Sequence, residues 1–166
     1  MGKRVLVFIL IFLSSLITAC SNEASSGDNK GMPSDFNFSL KYSTYGKQVI
    51  DTFNDIVIKD LVLVGTVEAE IAFTDVEMKE IYNKMIAIDI MGELDLEKEK
   101  ECGSEPESIS NWTIQMNGET KSYSYKSYCN YPEDVLNLIK LEDFIHNLMA
   151  NKEEYKKLPE SNGGYE

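Results

Sequence analysis

Five acidic residues recur at alternate positions, Glu93, Asp95, Glu97, Glu99 and Glu101, and Glu105 and Glu107 follow them. Carboxylates at this density offer hard oxygen ligands, of which calcium takes roughly six to eight. An exported protein meets millimolar calcium, where even weak binding suffices. Lys98 and Lys100 interrupt the run and no EF-hand spacing is present, so a solvated charged loop competes with a weak calcium site. Paired carboxylates also serve glycosidases, but beside Trp112 and scattered tyrosines the chain offers no aromatic sugar platform. His146 is the single histidine. A multi-His metal centre within one chain is thereby excluded, and any Ser–His–acid triad would have to use this residue. It lies four residues after Glu142, beside an apolar stripe, where an ordinary surface Glu–His pair accounts for it. No Gly-rich phosphate loop, HExxH, CxxC or GxSxG occurs. These residues point to a protein that is not an enzyme, with no cofactor beyond a weakly held calcium ion.

The strongest chemical signal is at the start of the chain. Lys3 and Arg4 precede an apolar run from Val5 to Ile17, and the small residues Thr18 and Ala19 end it. That is the architecture of an export signal. At about 13 residues the run is too short to span a bilayer, which takes roughly 20. Ile17-Thr18-Ala19-Cys20 resembles the lipobox of bacterial lipoproteins. The resemblance implies cleavage before Cys20, a diacylglycerol thioether on its sulfur and usually acylation of the new amino terminus. Two or more acyl chains hold a protein firmly to a membrane, each buried CH₂ contributing about 0.8 kcal/mol. Cys20 is then consumed by lipid, leaving Cys102 and Cys129 as an even pair in an oxidising compartment. Their predicted disulfide would close a loop of about 27 residues, worth roughly 3–4 kcal/mol in the chain-entropy model.

The expected organisation is a signal at 1–19, a lipidated cysteine and linker at 20–34, and one domain at 35–166. Lys3 and Arg4 are two of the 16 basic residues, so the mature chain keeps 14 against 28 acids, a net charge of −14. Such a surface disfavours nucleic acid, whose binding needs clustered Lys and Arg, and anionic lipid headgroups. Cations, basic proteins and neutral polymers remain as partners, and the charge also keeps an exported protein soluble.

The elements that would carry these residues follow from periodicity. Phe36, Phe38, Leu40 and Tyr42 alternate with polar residues as a first strand. Gln48 to Ile58 reads as a second. Leu61 to Phe73 reads as a third, with Gly65 marking a bulge. Thr74-Asp75-Val76-Glu77 fits a capping box opening a helix with the stripe Met78, Ile81, Met85, Ile88. Residues 92–110 read as loop. Trp112, Ile114 and Met116 form a fourth strand, Asn117-Gly118 is a type I′ hairpin signal, and Lys121 to Tyr128 returns as a fifth. Pro132 opens a second helix with the stripe Val135, Leu138, Leu141, Ile145, Leu148. Residues 161–166 read as a tail. The expected fold is α+β, an antiparallel sheet of about five strands with two helices on one face, in the order βββαββα.

Three blocks carry a family likeness. They are Asp51-Thr52-Phe53 with Lys59-Asp60-Leu61, then Thr74-Asp75 and Glu77 with Ile81-Tyr82, and finally Glu154-Tyr155-Lys156-Lys157-Leu158-Pro159 with Gly163-Gly164-Tyr165. Together they resemble a family of small, uncharacterised lipoproteins of Gram-positive bacteria. The chain as a whole reads as a non-enzymatic binding or interaction module for an unknown protein or envelope ligand. The alternatives are a weak calcium-binding lipoprotein using residues 93–107 and an enzyme with an unrecognised site. The resemblance implies a domain tethered by lipid to the outer face of the cytoplasmic membrane. It implies no activity and carries over no catalytic residue.

Overall fold

The computed structural model describes residues 31–96, 105–127 and 129–165. The unit Met32–Glu166 carries the fold. It is α+β, with six antiparallel strands and two main helices in the order ββββαββα. The strands are β1 (Asn37–Tyr42), β2 (Gln48–Asp51), β3 (Ile56–Asp60), β4 (Thr66–Glu70), β5 (Ile109–Met116) and β6 (Glu119–Lys126). The helices are α1 (Asp75–Ala87), α2 (Glu133–Ala150) and the single turn α3 (Glu153–Lys156). Across the sheet the order is β4-β3-β2-β1-β5-β6. The chain therefore grows outward from β1 by hairpins, then α1 carries it back to the opposite side of β1.

The sixth strand arises because residues 48–58 are a hairpin and not one strand. The Asp51 carboxylate accepts from Phe53 N at 3.0 Å and Asn54 Nδ2 at 2.8 Å, an Asx turn that reverses the chain. Asp55 takes φ 55°, a left-handed conformation that a short polar side chain tolerates. The expected third strand is likewise shorter. Residues 61–65 are a loop in which Val62 and Gly65 have positive φ and Leu61 N donates to Gly65 O at 2.8 Å. Gly65 is thus a turn residue and not a bulge, and Leu63 and Val64 stand exposed at the tip.

Register sets which side chains meet. Leu40 lies opposite Ile50 and Trp112, Phe38 opposite Ile114, and Ile50 opposite Val57. Cross-strand partners share a face, and all of these are 2% exposed or less. They join Ile81 and Met85 of α1 and Leu138 and Ile145 of α2 in one apolar core. Phe36 meets Tyr82 edge-on at 5.3 Å, locking the entry to β1 onto α1. The α2 stripe is Val135, Leu138, Leu141, Ile145 and Met149, with Leu148 only half-buried. A step of four from Ile145 keeps Met149 in phase with a 3.6-residue period better than a step of three keeps Leu148.

Local signals act as their chemistry dictates. Thr74 and Glu77 form the reciprocal capping box of α1, and Lys152 bonds Glu77 at 2.6 Å, fastening the end of α2 to the start of α1. Burial opposes ionisation of Glu77, but the bonds from Lys152 and Thr74 outweigh it and its carboxyl sits below the usual range. Asn117 and Gly118 both have positive φ, as a type I′ turn requires. Their amides donate to the Asp35 carboxylate at 2.9 and 2.6 Å, pinning this hairpin to the start of β1. Residues 161–165, read above as a tail, are part of the fold: Asn162 pairs with Val62 in a parallel bridge.

Candidate functional site

The acidic loop is described in part. Glu97, Glu99 and Glu101 lie outside the described residues. Glu93 extends to Lys121 at 3.4 Å on β6, while the amide of Asp95 donates to the Asp134 carboxylate at 2.8 Å, at the start of α2. Among the described residues no group of three or more His, Cys, Asp or Glu could hold a metal ion. Cys20 and Cys102 also lie outside the described residues. Cys129 lies just ahead of α2, and the expected Cys102–Cys129 pairing, which rests on Cys102, falls outside the described residues. No described helix is long and apolar enough to cross a membrane.

Glu142 and His146 are not a surface pair. Both lie on the sheet-facing side of α2, flanking Leu141 and Ile145, and each takes its own partners from the sheet. Glu142 Oε2 accepts from Ser110 Oγ of β5 at 2.7 Å and from the Tyr125 hydroxyl of β6 at 3.1 Å. His146 Nδ1 meets the Tyr42 hydroxyl of β1 at 2.7 Å, and its ring lies edge-on to Tyr42 and Tyr155. Ser110 and Tyr125 are cross-strand partners, so the hairpin turn at Asn117-Gly118 sets the pair of donors that Glu142 meets. Burial raises the Glu142 carboxyl to about 7, the two hydroxyl bonds pull it down, and Asp143 adds to the rise. Burial lowers His146, against the pull of Asp143 and with the push of Lys59. Burial also raises the phenols of Tyr42 and Tyr125. The indole of Trp112 lies beside the Tyr125 hydroxyl, and its Nε1 has no partner within hydrogen-bond geometry.

This seam is a polar patch within the packed layer. A groove of about 200 Å³ runs between the helices, lined by Lys84, Ala87, Ile88, Asn137, Lys140 and Leu141, and the seam residues are not among its walls. The sequence placed Glu142 beside the apolar stripe. The missing signal was on the strands, where Ser110 shares the inward phase with Trp112, and Tyr125 shares it with Tyr123.

The other face of the sheet is accessible. Residues between the buried positions of β1, β5 and β6 form lateral rows. Asn37 lies opposite Gln115 and on to Thr120, Ser39 opposite Thr113 and on to Ser122, Lys41 opposite Asn111 and on to Ser124. None of these is buried. Ser124 donates to Asn111 Oδ1 at 2.8 Å and Thr113 meets Ser122 at 3.3 Å. On these three strands the face is built mostly from short hydroxyl and amide side chains, and its two charges, Lys41 and Lys126, are both basic, in a chain whose net charge is −12. The row of Ser39 runs on across β2 and β3 through Asp51 and Ile56 to Glu70, so the carboxylates of this same face, Asp51, Glu68 and Glu70, gather on its β2–β4 side. Antiparallel sheets carry one dry and one wet face, and here the β1–β5–β6 part of the wet one is an array of mostly neutral donors and acceptors.

Comparison with protein-family models and with curated proteins yields no match to this chain.

Proposed function

We propose that this chain is a lipid-anchored extracytoplasmic interaction module, non-enzymatic, held by Cys20 to the outer face of the cytoplasmic membrane of a Gram-positive bacterium. Lys3, Arg4, the apolar run and Ile17-Thr18-Ala19-Cys20 support the address. The single observation that carries the binding reading is the accessible face of β1, β5 and β6. Its rows Asn37–Gln115–Thr120, Ser39–Thr113–Ser122 and Lys41–Asn111–Ser124 are almost wholly neutral and polar. The carboxylates of the sheet's accessible face, Asp51, Glu68 and Glu70, lie on β2 and β4 and leave this part of it without an acid. A mostly neutral polar array suits a neutral partner rich in hydroxyl and amide groups, the chemistry of an envelope glycopolymer.

The test is co-sedimentation of residues 21–166, produced without the signal and the lipidated cysteine, on purified insoluble cell wall. Thr113→Arg with Ser122→Arg should abolish sedimentation at a stability cost of about 1 kcal/mol, since the two are cross-strand partners and like charges directly opposite destabilise by that order, so a cooperative melt is required of the variant. Retention of the double variant on the wall, or no sedimentation of wild type, removes this reading.

A further inference from the structure

Residues 161–165 lie against the β3–β4 loop as a bound ligand would. Asn162 N donates to Leu61 O and Leu63 N donates to Asn162 O, both at 3.3 Å, so the segment adds as a short parallel strand. Ser161 Oγ donates to the Asp60 carbonyl at 2.5 Å. Further along the segment, the Tyr165 hydroxyl donates to Asp60 Oδ2 at 2.5 Å, while Asp60 Oδ1 accepts from Val62 N at 2.9 Å. The Tyr165 ring meets Tyr45 edge-on at 5.7 Å, and Lys47 Nζ sits 4.6 Å from its centroid. Asp60 is only 6% exposed.

Recognition here has the two parts of strand addition, main-chain hydrogen bonds for affinity and a side-chain anchor for specificity. The anchor is a phenol held by a carboxylate, an ammonium and an aromatic ring. A second requirement is steric. Gly163 has φ +96°, and a Cβ there would fall 2.6 Å from Leu63 Cγ, whereas a Cβ on Gly164 meets nothing. The attachment is weak by construction. Its main-chain bonds are long, residues 161–164 are exposed, and the two glycines lose much chain entropy on ordering. Segments of this kind open locally well below the global unfolding free energy.

We propose that Asp60 to Leu63, with Tyr45 and Lys47, form a peptide-binding site that residues 161–165 occupy in cis. Its ligand is an extended peptide carrying a glycine two residues before a tyrosine. The site shares no residue with the face of β1, β5 and β6, so it stands or falls independently of that reading.

The probe is the synthetic peptide Pro-Glu-Ser-Asn-Gly-Gly-Tyr-Glu, matching residues 159–166. The full exported chain carrying Asn162→Pro and Tyr165→Ala loses its own main-chain donor and anchor. It should bind this peptide with amide shifts at Leu61 and Leu63, about tenfold or more tightly than wild type does, because the cis segment reduces the open fraction in wild type. Peptides with the tyrosine, or the first of the two glycines, replaced by alanine should not bind. A folded variant that ignores the peptide, equal binding by wild type and variant, or equal binding of the alanine peptides would overturn the proposal. Hydrogen exchange on wild type decides it without any variant. The amides of Asn162 and Leu63 should exchange about 100-fold or more faster than those of Leu40 and Ile114, and exchange of all four at the global unfolding rate would refute a displaceable segment.

Discussion

The carboxyl of Glu142 makes the stability of this domain depend on pH in an unusual direction. Burial against Ser110 and Tyr125 raises it from 4.5 to about 7. A raised folded value means that the native state holds the proton more tightly than the unfolded chain. The stabilisation is complete below pH 4.5, declines as pH rises between 4.5 and 7, and is gone above that. At 1.36 kcal/mol for each pH unit, the loss is about 3 kcal/mol. His146 acts with the opposite sign. Burial lowers it below its ordinary 6.5, so its contribution is full above 6.5 and falls as pH drops beneath that. The two slopes overlap in wild type, and a substitution separates them. The side-chain amide of the variant Glu142→Gln stays neutral at every pH and keeps an oxygen for Ser110 and Tyr125. Urea denaturation of wild type and variant from about pH 4.5 to 8.5 should show their difference moving by about 3 kcal/mol in favour of the variant as pH rises. A domain of this size would register that as roughly 10 °C in melting temperature. A difference that stays flat across this window would refute the placement of Glu142 in the seam.

Further outcomes follow from other parts of the chain. Cys20→Ala should leave the protein unlipidated and unprocessed, and radiolabelled lipid on the mutant would defeat the lipobox reading. Thiol titration of the folded, exported chain without reductant should find no free thiol at Cys102 or Cys129, against two if the cysteines are unpaired. Thr74→Ala removes the acceptor for Glu77 N and should cost about 1 kcal/mol in denaturant unfolding, whereas an unchanged midpoint would place the start of α1 under tertiary control. Millimolar calcium should move the melting temperature no further than magnesium does, and a calcium-specific rise would support the alternative of a weak cation site in the acidic loop.

Periodicity and turn chemistry made much of this fold legible in the chain itself. Phe36 to Tyr42, Trp112 to Met116 and the two helix stripes each declare one buried face. Thr74 to Glu77 and Asn117-Gly118 act through bonds to residues close in sequence, so no distant partner is needed to read them. The hairpin at Asp51 to Asp55 was also written locally, in its acid and amide residues, but the Val and Ile on either side masked it as one strand. Three features belonged to the tertiary structure alone. Glu142 and His146 stand four apart on one helix, which suggests a pair; only the sheet beneath supplied Ser110, Tyr125 and Tyr42 as separate partners. The accessible face of β1, β5 and β6 needed the crossover that places β5 beside β1, although the two are far apart in the chain. Residues 161–165 carry two glycines and no apolar period, the composition of a free end. Their place depends on Asp60 and Lys47, from the far end of the domain's sequence, and contacts at that separation leave no trace in local patterning.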